Sequence, residues 1–148
     1  MRTRKSWREK MQNPNLPRVE AIPPQMEKRL GRGTMVLPAP QDVEDLMRRV
    51  PAGSVLTVSQ LRRDLAAKYA ADTACPLVTG IFVRIAAEAA EEDARAGLPV
   101  TPYWRIVKPD GALYPTFPGG VQRQARRLRA EGVPVVAGKV KSPALAAR

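Results

Sequence analysis

Residues 50–95 read VPAGSVLTVSQLRRDLAAKYAADTACPLVTGIFVRIAAEAAEEDAR, and this stretch decides the fold. Thr57 or Ser59 can cap a first helix, along which apolar residues recur at helical spacing. After a short connection, Pro76 suits the first turn of a longer helix that we expect to end near Arg95. Two consecutive amphipathic helices of this kind predict a helix-turn-helix.

The periodicity of the longer helix predicts one buried face and one exposed face. The buried positions are Val78, Ile81, Phe82, Ile85 and Ala89, and the exposed positions are Leu77, Gly80, Arg84 and Glu88. On a helix that enters a DNA groove, Arg84 could reach a phosphate or a guanine edge, and Gly80 would let the DNA backbone approach closely. The alternatives are that Arg84 is an ordinary solvated side chain and that Gly80 serves helix packing.

Upstream of this stretch, the sequence predicts one more helix and an irregular N-terminal extension. The helix begins near Asp42 and ends at residues 51–53, and its buried stripe is Val43, Leu46, Met47 and Val50. Residues 1–40 are interrupted by prolines and hold only short helices, near Ser6–Gln12 and Gln25–Leu30. We expect this basic extension to pack over the core.

Downstream, a β-hairpin, a helix and a tail are expected. Alternation over Trp104–Lys108, turn residues at 109–111 and a return over Ala112–Tyr114 predict the hairpin, which would form a wing. The last helix covers Val121–Ala130, and residues 136–148 are expected to be a basic disordered tail. The sequence thus predicts an α+β fold in which a winged helix-turn-helix domain spans residues 41–135.

The residue types that the chain lacks exclude several classes of enzyme. The chain has one cysteine, Cys75, and no histidine, so a cysteine/histidine zinc site and Ser-His or Cys-His catalytic pairs are excluded. We expect no metal and no cofactor. Because no apolar run approaches the roughly 20 residues of a membrane helix and no signal peptide is recognisable, we expect a cytoplasmic, nucleoid-associated monomer without membrane contact.

The charge distribution favours a polyanionic partner. The net charge is +11, and it is concentrated at the two ends, with +6 over residues 1–33, −2 over 34–100, +1 over 101–119 and +6 over 120–148. Lysines and arginines that neutralise phosphates release counterions, so this pattern fits basic arms beside a nearly neutral recognition element. It fits two solubilising extensions equally well.

Four motifs follow one another between residues 42 and 133. They are VPAGSVLT at 50–57, PYWRIV at 102–107, Asp110-Gly111 with Leu113, and Gln124 and Leu128 before Glu131-Gly132-Val133. In this order they resemble the C-terminal, DNA-binding domain of the alkylguanine-DNA alkyltransferases and of the non-enzymatic alkyltransferase-like proteins. The resemblance implies a helix-turn-helix that binds duplex DNA and a pocket that receives a flipped base.

The departures from the family pattern predict that the chain is not an enzyme. Tyr103 stands where the family has its alkyl-accepting cysteine, and Trp104 stands where it has the activating histidine. A phenol without a base is a poor nucleophile compared with a thiolate. Leu77 aligns with the family's arginine finger and Val58 with its phosphate-rotating tyrosine, so Leu77 would act as an apolar wedge if the role is kept.

Two sets of candidate site residues follow. The DNA-binding set is Thr57, Ser59, Leu77, Thr79, Gly80, Arg84, Arg105, Arg123, Arg126 and Arg127. The base-pocket set is Pro102, Tyr103, Trp104, Arg105 and Glu131. Because neighbours on a strand point to opposite faces, we expect Tyr103 to receive the base and Trp104 to point into the core.

The expected partner is duplex DNA, alkylated or not, with a repair protein as a further partner. Three alternatives stay open. The chain could be an alkyl acceptor that uses Cys75, which lies at a helix N-terminus. It could be an RNA- or ribosome-associated basic protein, or a module whose arginines bind an acidic protein.

Overall fold

The computed structural model describes residues 5–141 and shows a mixed helix and strand fold. The helices are α1 Trp7–Lys10, α2 Glu27–Leu30, α3 Pro40–Arg48, α4 Val58–Lys68, α5 Pro76–Arg95 and α6 Gly120–Ala130. The strands are β1 Arg18–Ala21, β2 Thr34–Leu37, β3 Leu56–Thr57, β4 Thr73–Ala74, β5 Ile106–Val107, β6 Val135–Val136 and β7 Lys139–Val140. Within residues 5–141, no helix has the length and apolarity needed to cross a membrane.

Helices α3, α4 and α5 form the centre of the molecule, close to the bounds that the sequence predicts. Thr57 caps α4, because its hydroxyl accepts from the Gln60 N–H at 3.1 Å while the Gln60 side chain accepts from the Thr57 N–H at 2.9 Å. The carboxylate of Asp42 accepts from the Ala39 N–H at the start of α3 and from Lys68 and Tyr69 at the end of α4. The two helices are therefore joined by polar contacts as well as by the apolar core.

The N-terminal segment contributes to the core, and two of its strands are not predicted by the sequence. Strand β1 pairs antiparallel with β2, and β2 pairs parallel with β4, which leads directly into α5. A small apolar cluster of Ile22, Met35 and Cys75 lies under this sheet. The short helices expected near residues 6–12 and 25–30 are present as α1 and as a 3₁₀ turn followed by α2.

Arg8 fastens α1 to the central helices. Its guanidinium donates to the buried Glu44 of α3 at 2.7 and 3.0 Å and to Asp93 near the end of α5. Thr101 also donates to Glu44, at 2.9 Å. Hydrogen bonds from Arg8 and Thr101 hold the pKa of Glu44 below its usual value, although burial acts in the opposite direction.

Three expectations for the chain's second half and α5 need correction. The hairpin expected over residues 104–114 is reduced to its turn: the Lys108 N–H donates to the Ala112 carbonyl at 2.9 Å, but β5 pairs in parallel with β3 and Ala112 bridges to Lys139 of β7. Residues 136–141 are not a disordered tail, since β6 and β7 form an antiparallel hairpin with a turn at Ala137-Gly138. Residues 142–148 lie outside the described residues. Ile81, expected to be buried, is 47% exposed.

We predict that Glu44→Gln weakens the fold most at neutral pH. The folded pKa of Glu44 lies below the unfolded one, so its contribution is present above about pH 4.3 and is lost as pH falls through the folded pKa. The variant should lose roughly 1.5–3 kcal/mol at pH 7 and show a flatter loss of stability with acid. Denaturant unfolding followed by circular dichroism from pH 3 to 7 measures both.

Glu9→Gln is the matched control, because Glu9 is exposed and hydrogen-bonds only locally to Ser6. Equal stability of Glu44→Gln and Glu9→Gln at pH 7 would contradict the role of Glu44.

Candidate nucleic-acid interface

The exposed face of α5 is the most open apolar surface on a helix among the described residues. Leu77 is 69% exposed and Ile81 is 47% exposed, and Gly80 and Arg84 lie on the same face. A Cβ atom at Gly80 would meet no atom within 4 Å, so no packing inside the molecule requires glycine there. The face is therefore free to be approached closely from outside.

The hydroxyl residues of the candidate DNA-binding set do not share this exposure. Thr57 is buried and serves as the cap of α4, and Thr79 is fully buried on the inner side of α5. Their side chains are not available at the surface, because the cap geometry and the apolar core enclose them. Ser59 is half-buried near the start of α4.

Of the three α6 arginines in the candidate DNA-binding set, one is exposed and two bind a buried carboxylate. Arg126 is exposed. Arg123 and Arg127 lie 2.9 and 3.3 Å from the carboxylate oxygens of Glu91, which is buried on α5. Their charge is therefore partly compensated inside the protein.

Tyr103 is a core residue, which corrects its expected position in an open pocket. Residues Tyr103–Arg105 form a 3₁₀ turn, not a strand, so the alternation rule for strands does not apply to them. Tyr103 is 1% exposed and its hydroxyl donates to Glu91. Burial and this hydrogen bond raise the pKa of Tyr103 well above its usual value.

Trp104 is half-buried: it packs against the apolar core, as expected, and its indole nitrogen is enclosed, but it also borders a cavity of about 750 Å³. The indole ring contacts the guanidinium of Arg127, whose central carbon lies 4.4 Å from the ring centroid, and packs edge-to-face with Tyr103 at 5.4 Å. The cavity is also lined by Arg8, Arg48, Asp93, Leu98, Pro99, Val100, Pro102 and Arg105. An aromatic wall with basic side chains at its border can accommodate a planar, polar group such as a base.

Arg105 and Glu131 form a structural ion pair. Arg105 donates to the Glu131 carboxylate at 2.9 and 2.6 Å and to the backbone carbonyl of Val50 at 2.7 Å. The hydrogen bonds from Arg105 hold the pKa of Glu131 below its usual value against the effect of burial. Arg105 is thus held inside the fold, and Glu131 does not line the cavity. The sequence could not separate this role from DNA contact, because both use an arginine.

Cys75 is 6% exposed and lies against Ile22 and Met35. Its burial under the N-terminal sheet is an obstacle to attack by this thiol on a large DNA substrate.

We predict that Arg105→Ala destabilises the protein by about 3 kcal/mol, because it removes the cation that pairs with the largely buried Glu131. Arg84→Ala, on the exposed face of α5, should leave the midpoint of thermal unfolding unchanged. Differential scanning calorimetry of both variants tests the contrast. If Arg105→Ala were as stable as the unmodified protein, the structural role of Arg105 would be wrong, and Arg105 would again be a candidate for contact with DNA.

Comparisons with known proteins support the fold. No protein-family model and no curated protein matches the sequence. Among solved structures, the fold is similar to that of S. pombe Atl1, crystallised in complex with damaged DNA containing O6-carboxymethylguanine. The two chains are 22% identical, the match covers 69% of this chain and 85% of that one, and the TM-score is 0.50. This likeness supports the fold that the motifs of residues 42–133 led us to expect.

Proposed function

We propose that the protein binds duplex DNA without covalent chemistry and holds an unpaired or alkylated base against Trp104. The observation that carries this proposal is the cavity of about 750 Å³ beside the Trp104 ring. Base stacking on an aromatic side chain is tolerant of base identity, so the ring could receive normal and modified bases. The likeness to Atl1, whose structure contains damaged DNA, favours the same class of ligand.

Helix α5 would enter a groove of the duplex with its exposed face. Arg84 would contact a phosphate or a guanine edge, and Gly80 would permit close approach of the backbone. Leu77, at the first turn of this face, would contact the bases as an apolar wedge. It lies roughly 24 Å along α5 from Asp93, which borders the cavity, so it would not fill the space left by a base held beside Trp104. Helices α4 and α5 would then serve as the helix-turn-helix pair, although residues 69–75 make a longer connection than the usual three- or four-residue turn.

The environment of Tyr103 supports binding rather than alkyl transfer. Its hydroxyl is buried and bound to Glu91, and its raised pKa keeps it protonated at neutral pH. A protonated phenol that donates to a carboxylate is a poor nucleophile. We infer that the role of the site ends with recognition, and that a repair protein acts on the complex in the cytoplasm, at the nucleoid.

We predict that Trp104→Ala weakens binding to a duplex containing one alkylguanine or one unpaired base by about 1–3 kcal/mol, or roughly 5- to 150-fold. Binding to the fully paired duplex should change little, because an intact base does not reach the cavity. Fluorescence anisotropy with labelled duplexes measures both affinities, and circular dichroism verifies the fold.

Trp104→Phe is the matched variant, since it keeps an aromatic ring and should retain most of the discrimination. Equal losses for paired and damaged duplexes would contradict a base-receiving site, and tighter binding to a matched RNA duplex would contradict DNA as the partner. Intact-mass measurement after incubation with alkylated DNA should show no added mass, whereas an adduct on Cys75 would establish an enzyme.

A further inference from the structure

A second basic surface lies at the junction of the N-terminal segment and α4. Its members are Arg62 and Arg63 of α4, which border one groove, and Arg29 of α2, whose charge acts on Arg62; they are here called the junction arginines. None of the three forms an ion pair within residues 5–141, whereas Arg8, Arg18 and Arg32 of the same N-terminal segment all do. The junction arginines are thus cations whose charge the protein itself does not compensate.

Arg62 is held in place by groups without a formal charge. Its Nε donates to the carbonyl of Ala74 at 3.0 Å, and its Nη2 donates to the hydroxyl of Thr73 at 3.2 Å. Partial burial lowers the pKa of Arg62, and the charge of Arg29 lowers it further. The guanidinium still has donors to offer, since these bonds use two of its five N–H groups.

The acidic residues around this surface are engaged elsewhere. Asp72 accepts from the backbone N–H and the hydroxyl of Thr34, at 2.8 and 3.2 Å. Glu27 of α2 lies 3.5 Å from Arg32. Asp72 borders the same groove as Arg62 and Arg63 but forms no ion pair with them, so the mutual repulsion of the arginines remains for an external anion to relieve.

The location of the junction arginines relates them to the exposed face of α5. Arg62 bonds to the two residues that precede Cys75, the cap of α5, and the exposed face begins at Leu77. Next to Arg62 and Arg63 lies a groove of about 460 Å³, which Ser59, Asp72 and Thr73 also line. The N-terminus of α5 carries the partial positive charge of its helix dipole, which adds to the attraction for anions at this end.

We propose that the junction arginines bind backbone phosphates of the duplex that flank the segment contacted by α5. This inference rests on the proposed function. It assigns to the N-terminal segment, through Arg29, a direct part in DNA binding.

The test is the salt dependence of binding to a fully paired, fluorescein-labelled duplex of about 20 base pairs, between 50 and 200 mM KCl. Each phosphate contact contributes about 0.9 to the slope of log affinity against log salt, so Arg29→Ala/Arg63→Ala should reduce the slope by roughly 1.8. When salt rises fourfold, the affinity of both proteins falls. The factor by which it falls should be about twelve times smaller for the double variant than for the unmodified protein. Arg62 is left intact because its bonds to Thr73 and Ala74 hold the fold.

Two matched double variants complete the experiment. Arg29→Lys/Arg63→Lys keeps both charges and should keep the slope. Arg18→Ala/Arg32→Ala removes two arginines of the same N-terminal segment whose charges Glu20 and Glu27 already compensate, and should also keep it. Equal slopes for the two alanine variants would overturn the proposed surface alone. Absence of duplex binding by the unmodified protein would overturn the proposed function and, with it, this surface.

Discussion

A buried carboxylate costs several kcal/mol unless donors surround it, and Glu91, in the C-terminal part of α5, is such a group. The hydroxyl of Tyr103 and the guanidinium groups of Arg123 and Arg127 supply the donors. The need to satisfy one carboxylate thereby brings together α5, the 3₁₀ turn at 103–105 and α6. Arg127 also contacts the Trp104 ring, so the same requirement fixes the aromatic wall of the cavity.

The middle of the chain is negatively charged and its two ends are positively charged, and ion pairs of this kind join the middle to the ends. Residues 34–100 carry a small negative charge, and the buried carboxylates among them bind cations from other segments, as Glu44 and Asp93 bind Arg8. These pairs hold the N-terminal segment and α6 against the central helices. The arginines that are left over, among them Arg84, Arg126 and the junction arginines, define where an external polyanion can bind.

The sequence predicts the central helices well, because their signals are local. The Thr57 cap, the proline at the start of α5 and apolar spacing depend on neighbours within four residues. The strands β1, β2 and β4 are not predicted, because they are short and their pairing partners are not joined to them by a tight turn that the sequence would reveal. Tyr103 is misplaced for a similar reason: the alternation rule applies to a strand, whereas here the demand of Glu91 for a donor buries the Tyr103 ring, and Trp104 both packs on the core and borders the cavity. Arg105 is misassigned because nothing local reveals its pairing with Glu131.

An extruded base that lies against Trp104 should change the fluorescence emission of this residue. Only two tryptophans exist, so Trp7→Phe leaves Trp104 as the sole indole. We expect a saturating duplex with one unpaired guanine to quench or shift this emission strongly through stacking, and a saturating, fully paired duplex to have little effect. The same response to both duplexes, or none to either, would contradict the stacking of a base on Trp104.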